Sequence, residues 1–344
     1  MQKQQKEKPM FRSSLIILSL LIMISPASAQ PSDEVDLKTL AQAINLTMRE
    51  NHYDPSELET EGYLRTEENI LKLADTATSE EEFLIGFTEI WRDGPFSHVV
   101  LQKARQSAED TAAYLDQLRI GGGGATLSWN ENIALLTVKT MMGLDTIEEI
   151  EAAYDVILEK NAEALIIDLR NNPGGAFAII PLVQHIIEEP LDAGGFIGQR
   201  WNSEMDRAPT LADALAVEPW QEGTISSFWA YVQTNTLTRI RFEPEAEGFK
   251  GPVYVLLNHQ TASAAEIAAD ALQASGRAIL IGEVSAGEML SQKMYDVPGG
   301  YHLYLPIADY YSFHSGRIEG VGVKPDILAD PGEAMTIALE HARK

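Results

Sequence analysis

Strand-length apolar runs alternate with helical patterns from residue 133 onward, and that alternation confines this chain to an α/β sheet with helices packed on it. The strand runs are Ile133–Val138, 164–169, Val253–Leu257 and Ala278–Gly282, and the helical ones are 146–159, 181–188 and Ala264–Ala274. A further strand is expected over Thr126-Leu127-Ser128-Trp129, just after four consecutive glycines at 121–124. Those glycines are not followed by the Lys-Ser/Thr pair of a phosphate-binding loop, and they read as a flexible joint between domains.

Upstream of the joint the period changes. Leu37, Leu40, Ala41, Ile44 and Met48 recur at helical spacing, as do Ile70, Leu71, Leu73 and Ala74, then Phe83, Leu84, Phe87 and Ile90. The expected organisation is a helical N-terminal domain over 30–120 and an α/β domain over 121–344. Within the latter, an irregular insertion at about 194–250 loses the alternating rhythm and gathers Trp201, Trp220, Phe228, Trp229 and Tyr231. Two readings of it stand side by side: a lid or substrate-binding segment, or a packed helical excursion with ordinary core aromatics.

The first residues bear on the compartment. Lys3, Lys6, Lys8 and Arg12 precede an apolar stretch over 15–24, and Ala27-Ser28-Ala29 follows. These are the three parts of a signal peptide spanning 1–29. The stretch is shorter than the roughly 20 apolar residues that span a bilayer, so the expected product is exported, periplasmic or secreted, with no membrane span. With no cysteine in the 344 residues, disulfides, thiolate catalysis and thiolate metal sites are excluded. A formal charge of −25 argues against nucleic acid as a partner and favours solubility. The sequence contains no His-Glu-x-x-His pair, calcium loop or nucleotide fingerprint, so neither cofactor nor metal is expected.

Two segments carry chemistry. Thr261-Ala262-Ser263-Ala264-Ala265-Glu266 follows a strand run and sets the Ser263 hydroxyl at a strand-to-helix junction. A serine there is either a helix cap or a nucleophile, because the unpaired N–H groups of a helix start can serve a cap or an oxyanion forming beside it. The other segment, Asp168-Leu169-Arg170-Asn171-Asn172-Pro173-Gly174-Gly175, ends a strand in a turn whose glycines let a backbone N–H face a ligand.

These segments, with Ile281-Gly282-Glu283 and the closing Gly320-Val321-Gly322-Val323-Lys324-Pro325-Asp326-Ile327, resemble a known serine peptidase family. It contains the C-terminal processing (tail-specific) proteases, the tricorn core protease and the repeats of interphotoreceptor retinoid-binding protein. The resemblance covers 36–330 and implies a crotonase-like α/β core. In the C-terminal processing branch a lysine within a Gly-Lys-Gly element is the base, with a glutamine four residues on. Here Gln292 matches, but Glu288 stands in the lysine's place and Lys293 is out of register. The tricorn-like branch takes its base from the helical part, as a histidine preceded by a serine, and adds a glutamate near the end of the chain. Ser97-His98 and Glu319 match both features.

The resemblance therefore implies Ser263 as nucleophile, His98 as general base and acid, and Glu319 and Ser97 as its orienters. It also implies the N–H groups of Gly175 and Ala264 as oxyanion hole, with Gly174 and Gln292 as auxiliary residues. A neutral imidazole, whose reference pKa is ~6.5, suits such a proton transfer. The stretch 101–124 is too short for the PDZ domain that other members carry. The expected function is an exported, cofactor-free serine peptidase acting on peptides or proteins through an acyl-enzyme. Its alternatives are non-catalytic binding of apolar ligands or peptides on the same fold, and hydrolysis of a non-peptide ester or amide. The complete set of Ser97, His98, Ser263 and Glu319 favours catalysis over binding.

Overall fold

The computed structural model describes residues 36–221 and 223–344, so the leader expected over 1–29 lies outside the described residues. The first helical patterns fold as α1 (Leu37–Asn51), α2 (Glu61–Thr76) and α3 (Glu80–Arg92). Each starts where a polar side chain, of Asp36, Thr60 or Ser79, accepts from N–H groups of the first turn. Their inner faces bury Leu40, Ile44, Met48, Ile70, Phe83 and Phe87. The region is not helical throughout: Val100–Lys103 forms a strand, β1, ahead of α4 (Ala108–Asp116). That strand is short, and its partner lies far along the chain, with Val100 opposite Tyr304.

The remaining strands and helices follow in chain order. They are β2 (Ala125–Asn130), β3 (Ile133–Val138), α5 (Leu144–Glu159), β4 (Ala164–Asp168), α6 (Ile179–Gln184), β5 (Leu191–Ile197), α7 (Gln199–Glu204), α8 (Leu211–Leu215) and α9 (Ile225–Thr234). Then come β6 (Leu237–Phe242), β7 (Val253–Leu257), α10 (Ala264–Ala274), β8 (Ala278–Gly282), β9 (Ser291–Val297), β10 (Tyr301–Ser312), β11 (Gly316–Arg317), β12 (Ile327–Leu328) and α11 (Ala334–Ala342).

One sheet runs β12-β8-β7-β4-β3-β2, parallel throughout except for the β3–β2 pair. Every residue of β4 and β7 is buried, as expected for parallel strands covered on both faces. Alternation along β4 serves the two faces. Leu165 and Ile167 join the core that holds Ile150 of α5, Leu182 of α6 and Ala268 of α10, whereas Ala164 and Ile166 pack with Ala334 and Ala338 of α11. The other sheet runs β1-β10-β5-β6. Its spine is β10, which pairs with β1 and β9 over its first half, breaks register between Pro306 and Ala308, and pairs with β5 and β11 over its second half.

Three expectations are corrected. The 194–250 segment is not irregular: α7, α8 and α9 with buried Trp201 and core-packed Phe228 and Trp229 fit the reading of a packed helical excursion, while β5 and β6 at its ends add two antiparallel strands of the second sheet that neither reading foresaw. Gly194 and Gly195 hide β5 from a propensity reading, yet a Cβ on Gly194 would come within 2.4 Å of the Tyr310 ring. The glycines at 121–124 form a pinned turn and not a flexible joint. The N–H groups of Ile120, Gly121 and Gly122 reach the Asp145 carboxylate at 3.0, 2.8 and 2.9 Å, and those of Gly123 and Ala125 reach Glu149 at 2.7 Å. Finally, α6 stops at Gln184 and does not run to 188. The carbonyls of Gln184 and His185 instead accept from Glu245 N–H (2.9 Å) and Phe249 N–H (2.6 Å). Among the described residues no helix is long and apolar enough to cross a membrane.

Candidate active site

Because β4 and β7 are adjacent and parallel, the turns leaving their C-terminal ends lie side by side, the position where open α/β sheets place their sites. Asn172 stitches the two turns together. Its Nδ2 donates to Val138 O (2.9 Å), its Oδ1 accepts from Gly174 N–H (2.9 Å), and its carbonyl accepts from Ala262 N–H (2.9 Å). Asn171 and Asn258 exchange two further bonds, of 2.9 and 2.8 Å, between the turns. Gly174 then lies directly against Ser263: a Cβ on it would be 2.6 Å from Ser263 Cβ and 3.0 Å from Ala264 N. Glycine is required there on two counts, since its φ is also +87°.

Ser263 caps α10 with φ 54° and ψ −124°, outside the helical path and in a region that costs a non-glycine residue about 1–3 kcal/mol. The surroundings hold it there. Its N–H donates both to Glu266 Oε2 (2.9 Å) and to the carbonyl of Glu288 (3.1 Å). Glu266 is fully buried and also accepts from Ser285 Oγ (2.6 Å), Gly287 N–H (2.7 Å) and Glu288 N–H (3.1 Å), which fixes the 285–288 loop against the serine. Burial pushes the Glu266 carboxyl up to about 7, against the opposing effect of those donors. Among the described residues, the N–H groups of Gly175 and Ala264 donate to no protein acceptor and are available to an incoming oxygen.

The loop that carries His98 is anchored by Phe96, whose ring lies 4.2 Å from His52, 5.1 Å from Trp91 and 6.0 Å from Tyr63. His98 has φ 65°. Its Nδ1 lies 2.7 Å from Ser97 Oγ, which is 2.8 Å from Glu319 Oε1. A hydroxyl has one proton to give, and the carboxylate takes it, so Nδ1 must be the protonated nitrogen and Nε2 carries the free lone pair. Glu319 Oε2 in turn accepts from Met289 N–H at 2.6 Å. Burial holds the His98 imidazole below its ordinary pKa, while the Glu319 and Glu288 carboxylates pull it back up. Strain gathers in these turns: of the five described non-glycine residues with positive φ, three are His98, Asn171 and Ser263.

Ser97, His98 and Glu319 are thus joined directly, and Ser263 is joined to them through one peptide unit. The Glu288 carbonyl binds Ser263 N–H, and the N–H of the same peptide, on Met289, binds Glu319. His98 and Ser263 are not hydrogen-bonded to each other. Gln292 sits exposed on β9 opposite Pro306 and, among the described residues, makes no hydrogen bond to the rest of the set.

Sequence reasoning missed the supports of this arrangement. Glu266 was findable, since it stands three residues after Ser263 with the spacing of a capping box. No local signal marks the array behind Glu319. There Arg317 Nε binds the buried Asp309 at 2.6 Å, its other arm reaches Tyr53 Oη at 3.4 Å, and Tyr53 donates to Glu57 at 2.9 Å. Burial pushes Asp309 up to about 6 and raises Glu57 as well.

Chemically, the arrangement offers a hydroxyl, two unpaired N–H donors beside it, and an imidazole oriented through a hydroxyl to a carboxylate. Turns of neighbouring parallel strands converging on one such serine place the chain in the class of α/β proteins with a crotonase-like core. The chain belongs to peptidase family S41, whose pattern matches residues 132–329. It is 29% identical over 191 residues to a carboxyl-terminal-processing protease of Picosynechococcus, a match covering 56% of this chain and 37% of that protein. The chain spans little more than a third of the length of such curated relatives. The fold is also similar to that of a photosystem II D1 C-terminal processing protease, with a TM-score of 0.54 at 15% identity over 86% of this chain and 93% of that one. For the tricorn protease the TM-score is 0.57 at 11% identity, over 90% of this chain and 37% of that one.

Proposed function

We propose that the protein is an exported serine peptidase that hydrolyses peptide bonds through an acyl-enzyme. The observation that carries this reading is the Glu319–Ser97–His98 chain of hydrogen bonds, which leaves His98 Nε2 as the unprotonated nitrogen. Membership of the family and the names of its curated relatives support peptides as the substrate class.

Ser263 Oγ attacks the scissile carbonyl and gives its proton to His98 Nε2. The imidazolium so formed keeps its Nδ1–H bond to Ser97, and Glu319 stabilises the charge through that hydroxyl. The tetrahedral oxyanion accepts from Gly175 and Ala264 N–H; losing one such donor typically lowers the rate by about 10² to 10³. When the intermediate collapses, the C–N bond breaks and the amine leaves with the proton from Nε2. Water then repeats the sequence on the ester, and Ser263 recovers its proton. The His98–Ser263 hydrogen bond forms as substrate closes the site, since such contacts often tighten only in the bound complex.

The reading is tested by incubating the purified protein with a complex peptide mixture and mapping new termini by mass spectrometry. Wild-type protein is expected to create them and Ser263→Ala not to. New termini in equal number from both would end the proposal.

A further inference from the structure

The mechanism uses only the main chain of Glu288. Its carbonyl holds Ser263 N–H, its own N–H is held by Glu266, and the next N–H, of Met289, is held by Glu319. With both main-chain groups fixed, the residue sits at the junction between the serine and the Glu319–Ser97–His98 chain. Its side chain is the only part left free to reach solvent, and the residue is exposed. Among the described residues the Glu288 carboxylate makes no hydrogen bond and no ion pair, and its charge is felt by His98. The cation closest in sequence, Lys293, is turned to Gln233 Oε1 at 2.7 Å and to the Tyr295 ring at 5.1 Å.

An unpaired carboxylate whose main chain is bonded to Ser263 is a charge open to a partner from solvent. We propose that Glu288 is a specificity-determining residue that selects substrates carrying a cationic group, a lysine or arginine side chain or a free amino terminus, next to the scissile bond. Geometry supports this beyond the charge itself. Because the 288–289 peptide is locked to both halves of the site, the base of the Glu288 side chain holds a fixed place relative to Ser263 and Glu319, and only the rotamer freedom of one side chain is lost on pairing with a ligand. The side chain is at the solvent edge, so the pair it forms is partly screened and discriminates by a modest factor. The inference rests on the peptidase reading and deepens it by naming the substrate class.

The test compares matched fluorogenic peptides in which one residue flanking the scissile bond is lysine, arginine, citrulline or glutamate, each with free and acetylated amino termini. The expected result is a several-fold to tenfold higher kcat/KM for the cationic members over citrulline, shrinking at high salt. Glu288→Gln should abolish that ratio and Glu288→Lys should invert it. Taking ratios between substrates cancels any effect of the substitutions on His98. The free and acetylated arms separate side-chain from terminal-amine recognition.

A cation-to-citrulline ratio unchanged by Glu288→Gln overturns the proposal. Labelling of Ser263 by an uncharged fluorophosphonate distinguishes the two possible failures. A protein that labels but does not discriminate refutes the role of Glu288, whereas one that neither labels nor cleaves refutes the peptidase reading beneath it.

Discussion

The two halves of the candidate site are built in different ways. The serine half is local to one sheet: its turns leave neighbouring strands, Asn172 and Asn258 cross-link them, and buried Glu266 fastens the adjoining loop. The base half is assembled from segments distant in the chain. Ser97 meets Glu319, and the supports behind them run from Tyr53 to Arg317 and Asp309. A hydrogen-bonded core that is part of the sheet yields only when the sheet does. A relay drawn from separate segments can be loosened while the fold persists, so the difference predicts distinct failures for the two halves.

The largest effect belongs to Ser263, the proposed nucleophile. Ser263→Ala is expected to lower kcat/KM by about 10⁴-fold or more while leaving thermal unfolding nearly unchanged, because catalysis and not packing is removed. Glu266→Ala comes next and acts on stability. It leaves the N–H groups of Ser263, Gly287 and Glu288 and the Ser285 hydroxyl without their buried acceptor, for a loss of about 3 kcal/mol in urea unfolding together with most activity. Gly174→Ala drives a Cβ into Ser263 and Ala264, and kcat/KM is expected to fall about 10²-fold with binding of product peptides little altered.

The base half should respond more mildly and with a pH signature. Arg317→Met removes the partner of buried Asp309 and frees the strand that leads to Glu319, and about tenfold lower kcat/KM is expected from the misplaced relay. The sign of its stability effect follows from Asp309, whose carboxyl sits at about 6 in the fold against an ordinary 3.8. A folded pKa above the unfolded one means the native state holds its proton more tightly. Stability from that group is therefore greatest below the ordinary value and is lost as pH rises toward the folded one. Without Arg317 the folded value climbs further, so the variant should be more destabilised at pH 7.5 than at pH 5. Equal destabilisation at both pH values would remove Asp309 from the account.

Reading the sequence recovers these halves unequally. Strands β3, β7 and β8 and helix α10 run over the ranges expected from the sequence, since the strands are largely buried apolar runs and an alanine-rich helix follows β7 after one turn. Ser97, His98 and Glu319 were legible through the motif resemblance, and the structure joins them. What stayed hidden is what depends on partners far along the chain. β5 is masked by Gly194, which admits the Tyr310 ring, and by Gly195, which lies against Leu237 of β6. The pinned turn at 121–124 depends on Asp145 and Glu149, one turn apart on α5. The Tyr53–Arg317–Asp309 array joins residues that no local pattern relates.

The central claim is that a base drawn from one part of the chain activates a serine fixed in another. The most direct test is the second-order rate of fluorophosphonate modification of Ser263, followed by intact mass from pH 5 to pH 9 in the wild type and in His98→Ala. Because burial holds His98 below its ordinary value, the wild-type rate should persist into mildly acidic solution and fall with a single proton below ~6.5. His98→Ala should react about 10³-fold more slowly at neutral pH and show no acid limb. Modification of Ser263 at the same rate, with the same pH profile, in both proteins would contradict the account.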